Sequence, residues 1–331
     1  MTELAVAAFA AEEDAHLVDE PRSRRFVRFL RAFEPERYVW SLERLGVRWL
    51  PRSSADYPPL LRHLHDPPVG LFLRGEGSPQ LLQQIAVAVV GARACSGYGA
   101  QVARVLGREL GAAGAVVVSG LARGIDGEAH RGALESGGIT VAVLGCGIDR
   151  DYPAAHRELA RRIGERGLVV SEYAPGVEPA PWRFPARNRI IAGLTSATVI
   201  VEARERSGAL ITADLALEAG REVFAVPGEI TSSLSSGTNG LIAAGAAAPL
   251  LAPENVLDAL GLSRPERPEA PLGQDAAVVL AALADTAATA DELTRLTGLE
   301  TGAVAAALAE LELAGLAAET AGVYRGVGPQ G

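Results

Sequence analysis

Between residues 85 and 226 the chain repeats one texture six times: a short apolar run, a glycine-rich loop, then a stretch of helical composition. The runs are Ile85–Val90, Val116–Ser119, Thr140–Leu144, Leu168–Ser171, Ala197–Val201 and Glu222–Val226. They are nearly continuous in Val, Ile and Ala, which fits strands buried on both faces rather than strands with one wet face. The intervening segments, among them 99–113, 154–166 and 212–219, read as helices. Strand, helix, strand in repetition predicts an α/β fold, a Rossmann-like doubly wound parallel sheet spanning 81–262.

The flanks read differently. In 22–50, Phe26, Phe29, Leu30 and Phe33 recur at helical spacing, as do Val39, Leu42 and Leu45. Residues 51–80 are broken by Pro51, Pro58, Pro59, Pro67 and Pro68, which favours extended and turn structure. Residues 1–80 are therefore predicted to form a small helical domain with a connector. Residues 263–273 are a Pro-rich charged linker. Beyond it, 274–331 shows three helices and a hairpin pivoting on Gly322, a winged-helix pattern.

Composition removes several chemistries. All 31 basic residues are Arg and none is Lys. A Walker A loop and Schiff-base chemistry both require a Lys amine. Two cysteines, Cys95 and Cys146, make no disulfide framework, which points to a reducing compartment. No apolar run approaches the roughly 20 residues that span a bilayer. The acidic N-terminus lacks the basic start of a secretory signal, so a cytoplasmic protein without membrane contact is expected.

Charge is unevenly spread. Six acids and no Arg give residues 1–20 a charge of −6. Eleven Arg against six acids give 21–80 a charge of +5. The sheet region, with sixteen Arg and eighteen acids, carries −2, and four Arg against ten acids leave 263–331 at −6. An acidic protein binds nucleic acid only through a local basic patch, so the placement of Arg decides the question.

In a doubly wound sheet, ligands sit outside the carboxyl ends of the strands. The loops expected there are GARACSGYG (91–99), SGLARGID (119–126), GCGIDRDYP (145–153), SEYAPG (171–176) with FPARNRIIAG (184–193), EARERSGALITA (202–213), and PGE with SSGTN. Glycine lets backbone amides approach phosphates, and Arg93, Arg123, Arg187, Arg189, Arg204 and Arg206 supply forked cations. An anion site, most simply for a string of phosphates, follows. Other patterns have plain structural readings. Asp126 and His130, one helical turn apart, suit a cap and a core histidine better than a metal site. Cys146 between glycines suits a need for a small side chain. Asn188 and Arg189 suit capping and ligand holding equally. No G-x-G-x-x-G or G-x-S-x-G is present, so a dinucleotide cofactor and a serine nucleophile are disfavoured. Glu172 and Glu202, at strand ends, leave open a nucleotide-phosphate hydrolase, and a purely structural core under a protein-interaction scaffold is a third reading.

Taken together and in order, DYPPLL (56–61), DPPVGLFLRG (66–75), SGLARGIDGEAH (119–130), FPARNRIIAGL (184–194), VEARERSGALITA (201–213), REVFAVPG (221–228) and SSGTNGLIAAGA (235–246) make the chain resemble the DprA/Smf family, DNA-processing protein A. The resemblance runs from about Asp56 to Leu260. It implies a core that binds single-stranded DNA, a homodimer, and a mediator that loads the RecA recombinase during natural transformation, without catalysis and without a cofactor. Carried over by motif, the strand-binding residues are Gly91 and Arg93; Arg123 and Gly124; Phe184, Arg187, Asn188 and Arg189; and Ser207, Gly208 and Thr212. Phe184 and Trp182 offer stacking faces for bases. Two departures stand out. Residues 22–50 lack the glycine hairpin of the helix-hairpin-helix-like domain found in relatives. The presumed recognition helix of the winged helix, 301–313, carries Glu310 and Glu312 and no Arg, so that module is expected to bind protein or pack on the core, and not to bind DNA.

Overall fold

The structure is a computed structural model that describes residues 2–263, 272–284, 286–314, 316–320 and 322–326. It divides into two compact units, within Met1–Pro265 and within Glu266–Gly331. Most of the Pro-rich linker, 264–271, lies outside the described residues. Among the described residues no helix is long and apolar enough to cross a membrane.

The first unit begins with three helices, α1 (Thr2–Glu12), α2 (Arg24–Ala32) and α3 (Pro35–Arg44), then β1 (Val47–Pro51), α4 (Pro59–Arg62) and β2 (Gly70–Arg74). The alternating part follows: β3 (Ala86–Val90), α5 (Gly97–Ala112), β4 (Val116–Ser119), α6 (Ile125–Glu135), β5 (Thr140–Val143), α7 (Arg157–Gly164), β6 (Leu168–Ser171) and α8 (Arg183–Leu194). It continues with β7 (Ala197–Ile200), α9 (Gly208–Glu218), β8 (Glu222–Ala225), α10 (Ser236–Ala243), β9 (Ala248–Pro249) and α11 (Glu254–Ala259).

The nine strands form one sheet in the order β1-β2-β6-β5-β4-β3-β7-β8-β9. From β6 to β9 all neighbours are parallel. The predicted doubly wound sheet is present, and its central strands β3 to β7 are buried at every residue, which explains their uninterrupted apolar texture. Alternate side chains feed two faces. In β3, Ala86, Ala88 and Val90 face the core under α8 and α9, and Val87 and Val89 face the core under α5 and α6. Helices α5 and α6 cross at backbone contact distance. A Cβ on Gly107 would fall on the Ala129 carbonyl and one on Gly132 on the Arg104 carbonyl.

The sheet begins earlier than position 81. Val47–Pro51 and Gly70–Arg74, assigned from sequence to a helix end and a connector, are antiparallel strands, and β2 pairs antiparallel with β6. The prolines that obscured them stand at element edges: Pro51 ends β1, Pro59 opens α4, and Pro67 and Pro68 precede β2. There the missing N–H costs no ladder bond. Phe72 of β2 and Val47 of β1 join a core with Phe9, Phe26 and Leu42 from the first three helices, and with Leu159 and Ile163 of α7.

The second unit has α12 (Gln274–Leu283), β10 (Ala288–Thr289), α13 (Ala290–Thr297), α14 (Thr301–Ala314), β11 (Ala317–Thr320) and β12 (Val323–Gly326). Its small antiparallel sheet runs β10-β12-β11. Thr289 and Glu292 form a reciprocal capping box that starts α13, and left-handed Gly298 ends it. Gly322, with φ 82°, sits in the turn between β11 and β12 as the hairpin reading required. Val279, Leu293, Val304 and Leu311 make its core.

Candidate nucleic-acid interface

Chain order along the sheet reverses at β3, which has β4 on one side and β7 on the other. The loops after β3 and β7 therefore part here, at the usual ligand crevice of such sheets. In this chain the crevice is occupied by the protein itself. Ala92 N donates to the Glu202 carbonyl (2.8 Å), and the Glu202 carboxylate accepts from Ser96 N (2.9 Å) and from the Ser96 hydroxyl. Ser96 also caps α5 by accepting from Gly99 N (3.0 Å). A Cβ at Gly99 would fall on the carboxylate. An acid thus complements the positive end of α5, where a phosphate would otherwise sit. Any long anion must lie further out, on the rim.

The rim is built by the loops after β3, β4, β5, β6 and β7. Gly124 adopts φ 74° and ψ −129°, and a Cβ there would fall on the Ala92 carbonyl, so glycine is what lets the β4 loop close on the β3 loop. Leu121 is held at φ 57°, a strained conformation for a branched side chain, with its carbonyl accepting from His156 Nδ1 (2.9 Å). Asp126 accepts from Gly120 N (3.0 Å) and Ala122 N (3.4 Å), which fixes the turn. Burial pushes its pKa up, against the pull of Arg187.

Helix α8 carries the longest predicted stretch and sorts it by face. Arg187 is buried and donates to the carbonyls of Gly120 (2.9 Å) and Val143, stapling the β4 and β5 loops. Burial lowers its pKa to about 10. Arg189 is also buried. It donates to Glu172 (3.0 and 2.7 Å) and Asp66 (2.9 Å). Burial opposes its charge, and those carboxylates outweigh the burial and hold its pKa above the ordinary value. Asn188 donates to the Gly208 carbonyl (3.1 Å), tying α8 to the start of α9. Ser207 caps α9 through Ala209 N (3.2 Å), and Thr212 is buried one turn further in. Gly91 is packed against Ile125 and the Glu202 carbonyl. These residues shape the rim from behind.

What remains outward is a smaller set. Arg93, Arg123, Arg204 and Arg206 are exposed and have no ion pair among the described residues. The Arg93 guanidinium lies over the Phe184 ring (5.1 Å), and Phe184 stacks on Tyr152 (5.4 Å between centroids, 29° between planes). Tyr152 is 42% exposed and Trp182 43%. Two planar rings and a planar cation thus lie together on the carboxyl edge. Tyr152 was not singled out from sequence, although it stands in the quoted GCGIDRDYP loop. Its one signal was an aromatic after a strand in a chain with few aromatics. Of the predicted residues, Arg93, Arg123 and Gly208 are exposed, Gly91, Gly124, Phe184, Asn188 and Ser207 stand partly open, and Arg187, Arg189 and Thr212 are buried. Glu172 and Glu202 spend their oxygens on Arg189 and Ser96, which leaves neither poised as an acid or base.

His130 is the hydrogen-bonded core histidine expected, whereas Asp126 bonds the turn before α6 and gives the helix no side-chain cap, and Cys146 is buried. Burial pushes the Cys146 thiol up to about 11. His130 Nδ1 lies 2.6 Å from the Thr140 hydroxyl, which itself donates to the Val117 carbonyl (2.7 Å). The ring must therefore donate from Nδ1, so Nε2 carries the lone pair, buried with no partner. Burial lowers the His130 pKa from 6.5 to about 3. Its folded value lies below its unfolded value, so the stability it contributes is present above pH 6.5 and is lost as pH falls from there toward 3. Urea titrations at pH 7, 5 and 4 are expected to show a progressive loss of a few kcal/mol that His130→Gln reduces. Equal pH dependence in both proteins would refute that source. Among the described residues no group of three His, Cys, Asp or Glu could hold a metal.

Comparison with known proteins places this geometry in context. The family described as DNA recombination-mediator protein A matches residues 48–261, and the DprA winged helix domain matches residues 263–322. The chain is 40% identical to protein Smf of Escherichia coli, with 92% of this chain and 83% of that protein covered. The solved structure of DNA processing protein A from Streptococcus pneumoniae superposes with a TM-score of 0.65 at 39% identity, covering 77% of this chain and 91% of that one. That of DNA processing protein A from Helicobacter pylori, described for its single-stranded DNA binding mode, gives 0.59 at 32% identity, covering 65% and 95%.

Proposed function

Because the chain belongs to the DNA recombination-mediator protein A family, we propose that its rim holds an unpaired DNA strand and that it presents this strand to the RecA recombinase, as a homodimer and without catalysing a reaction. The observation that carries the reading is the stack of Arg93, Phe184 and Tyr152 on the carboxyl edge, with the exposed, unpaired guanidiniums of Arg123, Arg204 and Arg206 on loops of the same edge. Guanidiniums grip phosphates in forked pairs, and partly exposed rings accept bases that a duplex keeps stacked inside. The first of these serves any sequence and the second serves single strands, so a sequence-tolerant preference for unpaired DNA follows.

In this reading Gly91, Gly124, Arg187, Asn188, Arg189, Ser207, Gly208 and Thr212 position the rim, and Arg93, Arg123, Phe184, Tyr152, Arg204 and Arg206 touch the strand. A nucleotide hydrolase on the same edge is disfavoured by the engagement of Glu172 and Glu202 inside the protein. Helix α14 contains Glu310 and Glu312 and no Arg, and we assign the second unit no part in strand binding.

Phe184→Ala tests the stacking component. Base–aromatic stacking contributes about 1–3 kcal/mol per base. Fluorescence anisotropy with a labelled oligothymidine is expected to show roughly five- to a hundredfold weaker binding, and a strand made abasic over its length should lose the difference between variant and parent. Equal affinity of the two proteins for oligothymidine would refute stacking at Phe184.

A further inference from the structure

The net charge of +5 over residues 21–80 is not used by the rim. Much of it gathers on α2. Phe26 and Phe29 turn one side of α2 onto Phe9 (5.2 and 5.3 Å between ring centroids), and Phe29 also stacks on Phe33 (5.3 Å). Arg24, Arg28 and Arg31, at spacings of four and three residues, fall on the opposite side. All three are exposed and, like Arg22 just before the helix, have no ion pair among the described residues. Of the acids nearby, Glu13 pairs with Arg25 (2.8 Å), Asp19 pairs with Arg52 (2.9 Å) and Glu3 binds Ser53 (2.7 Å).

Two ion pairs link α2 to the start of α8, next to the rim. Arg25 on α2 meets Glu13, and the next residue, Asp14, takes Arg183 of α8. The Arg183 guanidinium lies over the half-open Trp182 ring (4.7 Å), and Phe184 is the following residue. Ion pairs and chain neighbours thus lead from Phe184, past Trp182, to Arg25 on α2.

The geometry points to a second phosphate-binding site on α2 that tracks the same DNA strand after it leaves the rim. Occupancy rests on the rim reading above, because the strand must first be held there. Charge complementarity selects the occupant: three uncompensated guanidiniums spread over about 10 Å of helix match a run of backbone phosphates, and they carry no base code. Val27 and Leu30, 49% and 39% exposed, flank the row and offer apolar contact to sugars and bases.

The test uses the full chain carrying Arg24→Ala, Arg28→Ala and Arg31→Ala together, with thermal melting to establish that it folds as the parent does. Binding is measured against an oligothymidine of about eight nucleotides, enough for one site, and against one several times longer. The short strand is expected to bind as to the parent. The long strand is expected to bind on the order of ten- to a hundredfold more weakly at low salt, and its salt slope should fall by about 2, since each single-strand phosphate contact contributes about 0.7. Unchanged affinity and slope for the long strand would overturn the α2 site and leave the rim intact. Failure of the parent to bind the short strand would instead remove the rim reading. Unchanged strand binding with loss of binding to vesicles of anionic lipid would assign the face to a membrane surface and equally overturn the proposal.

Discussion

Arg189→Ala is expected to destabilise the protein by about 3–5 kcal/mol, the cost of removing one partner from a buried ion pair. Glu172 is 6% exposed and would lose both Arg189 nitrogens, keeping only His16 Nδ1 at 3.7 Å. The cost is that of a carboxylate left buried with no guanidinium beside it. Asp66, on the segment before β2, would also lose its tie to α8. For a unit of this size the melting midpoint should fall by roughly 10 °C or more. Combining Glu172→Gln with Arg189→Met removes the stranded charge and should recover part of the loss, whereas Glu172→Gln alone should not mimic Arg189→Ala. If Arg189→Ala melted as the parent does while abolishing strand binding, Arg189 would be a ligand and the division of labour argued above would be wrong.

The opposite phenotype is expected at the surface. Replacing Arg93, Arg123, Arg204 and Arg206 together by alanine removes four exposed guanidiniums that have no ion pair among the described residues, so stability should change little. Strand affinity should fall on the order of a thousandfold at about 0.1 M salt, with the salt slope shallower by about 3. Single replacements should each remove about a quarter of that slope change. Arg93 is the exception, because its guanidinium also lies over Phe184 and its loss frees the ring. A quadruple variant that binds oligothymidine as tightly as the parent would move the strand elsewhere on the molecule.

The contrast between these two sets marks what a sequence can reveal about such a site. The sheet was legible because β3 to β7 are buried on both faces, and burial on both faces writes an unbroken apolar run. Strands β1 and β2 were missed because their boundaries are prolines, which from sequence look like interruptions rather than ends. The convergence of the loops on one edge was legible, since parallel strands leave no other place for them. Which arginines face outward was not. Arg187 and Arg189 share a motif with Phe184, and on a helix two or three positions decide whether a side chain meets solvent or the sheet. Glu202 read as a strand-end carboxylate, and only the fold brings it to Ser96, 106 residues earlier in the chain. The burial that hides Arg189 also explains why an arginine is needed there: its planar fork serves Glu172 with two nitrogens while a third donates to Asp66.

The most direct test is the salt dependence of binding between the parent protein and a short oligothymidine, followed from about 50 to 200 mM salt, with the matching duplex in parallel. Four guanidiniums on phosphates predict a fall of log K with log salt of slope about −3, and weaker binding of the duplex, whose bases are closed to Phe184 and Tyr152. A flat salt profile, or a duplex held as tightly as the single strand, would contradict the account.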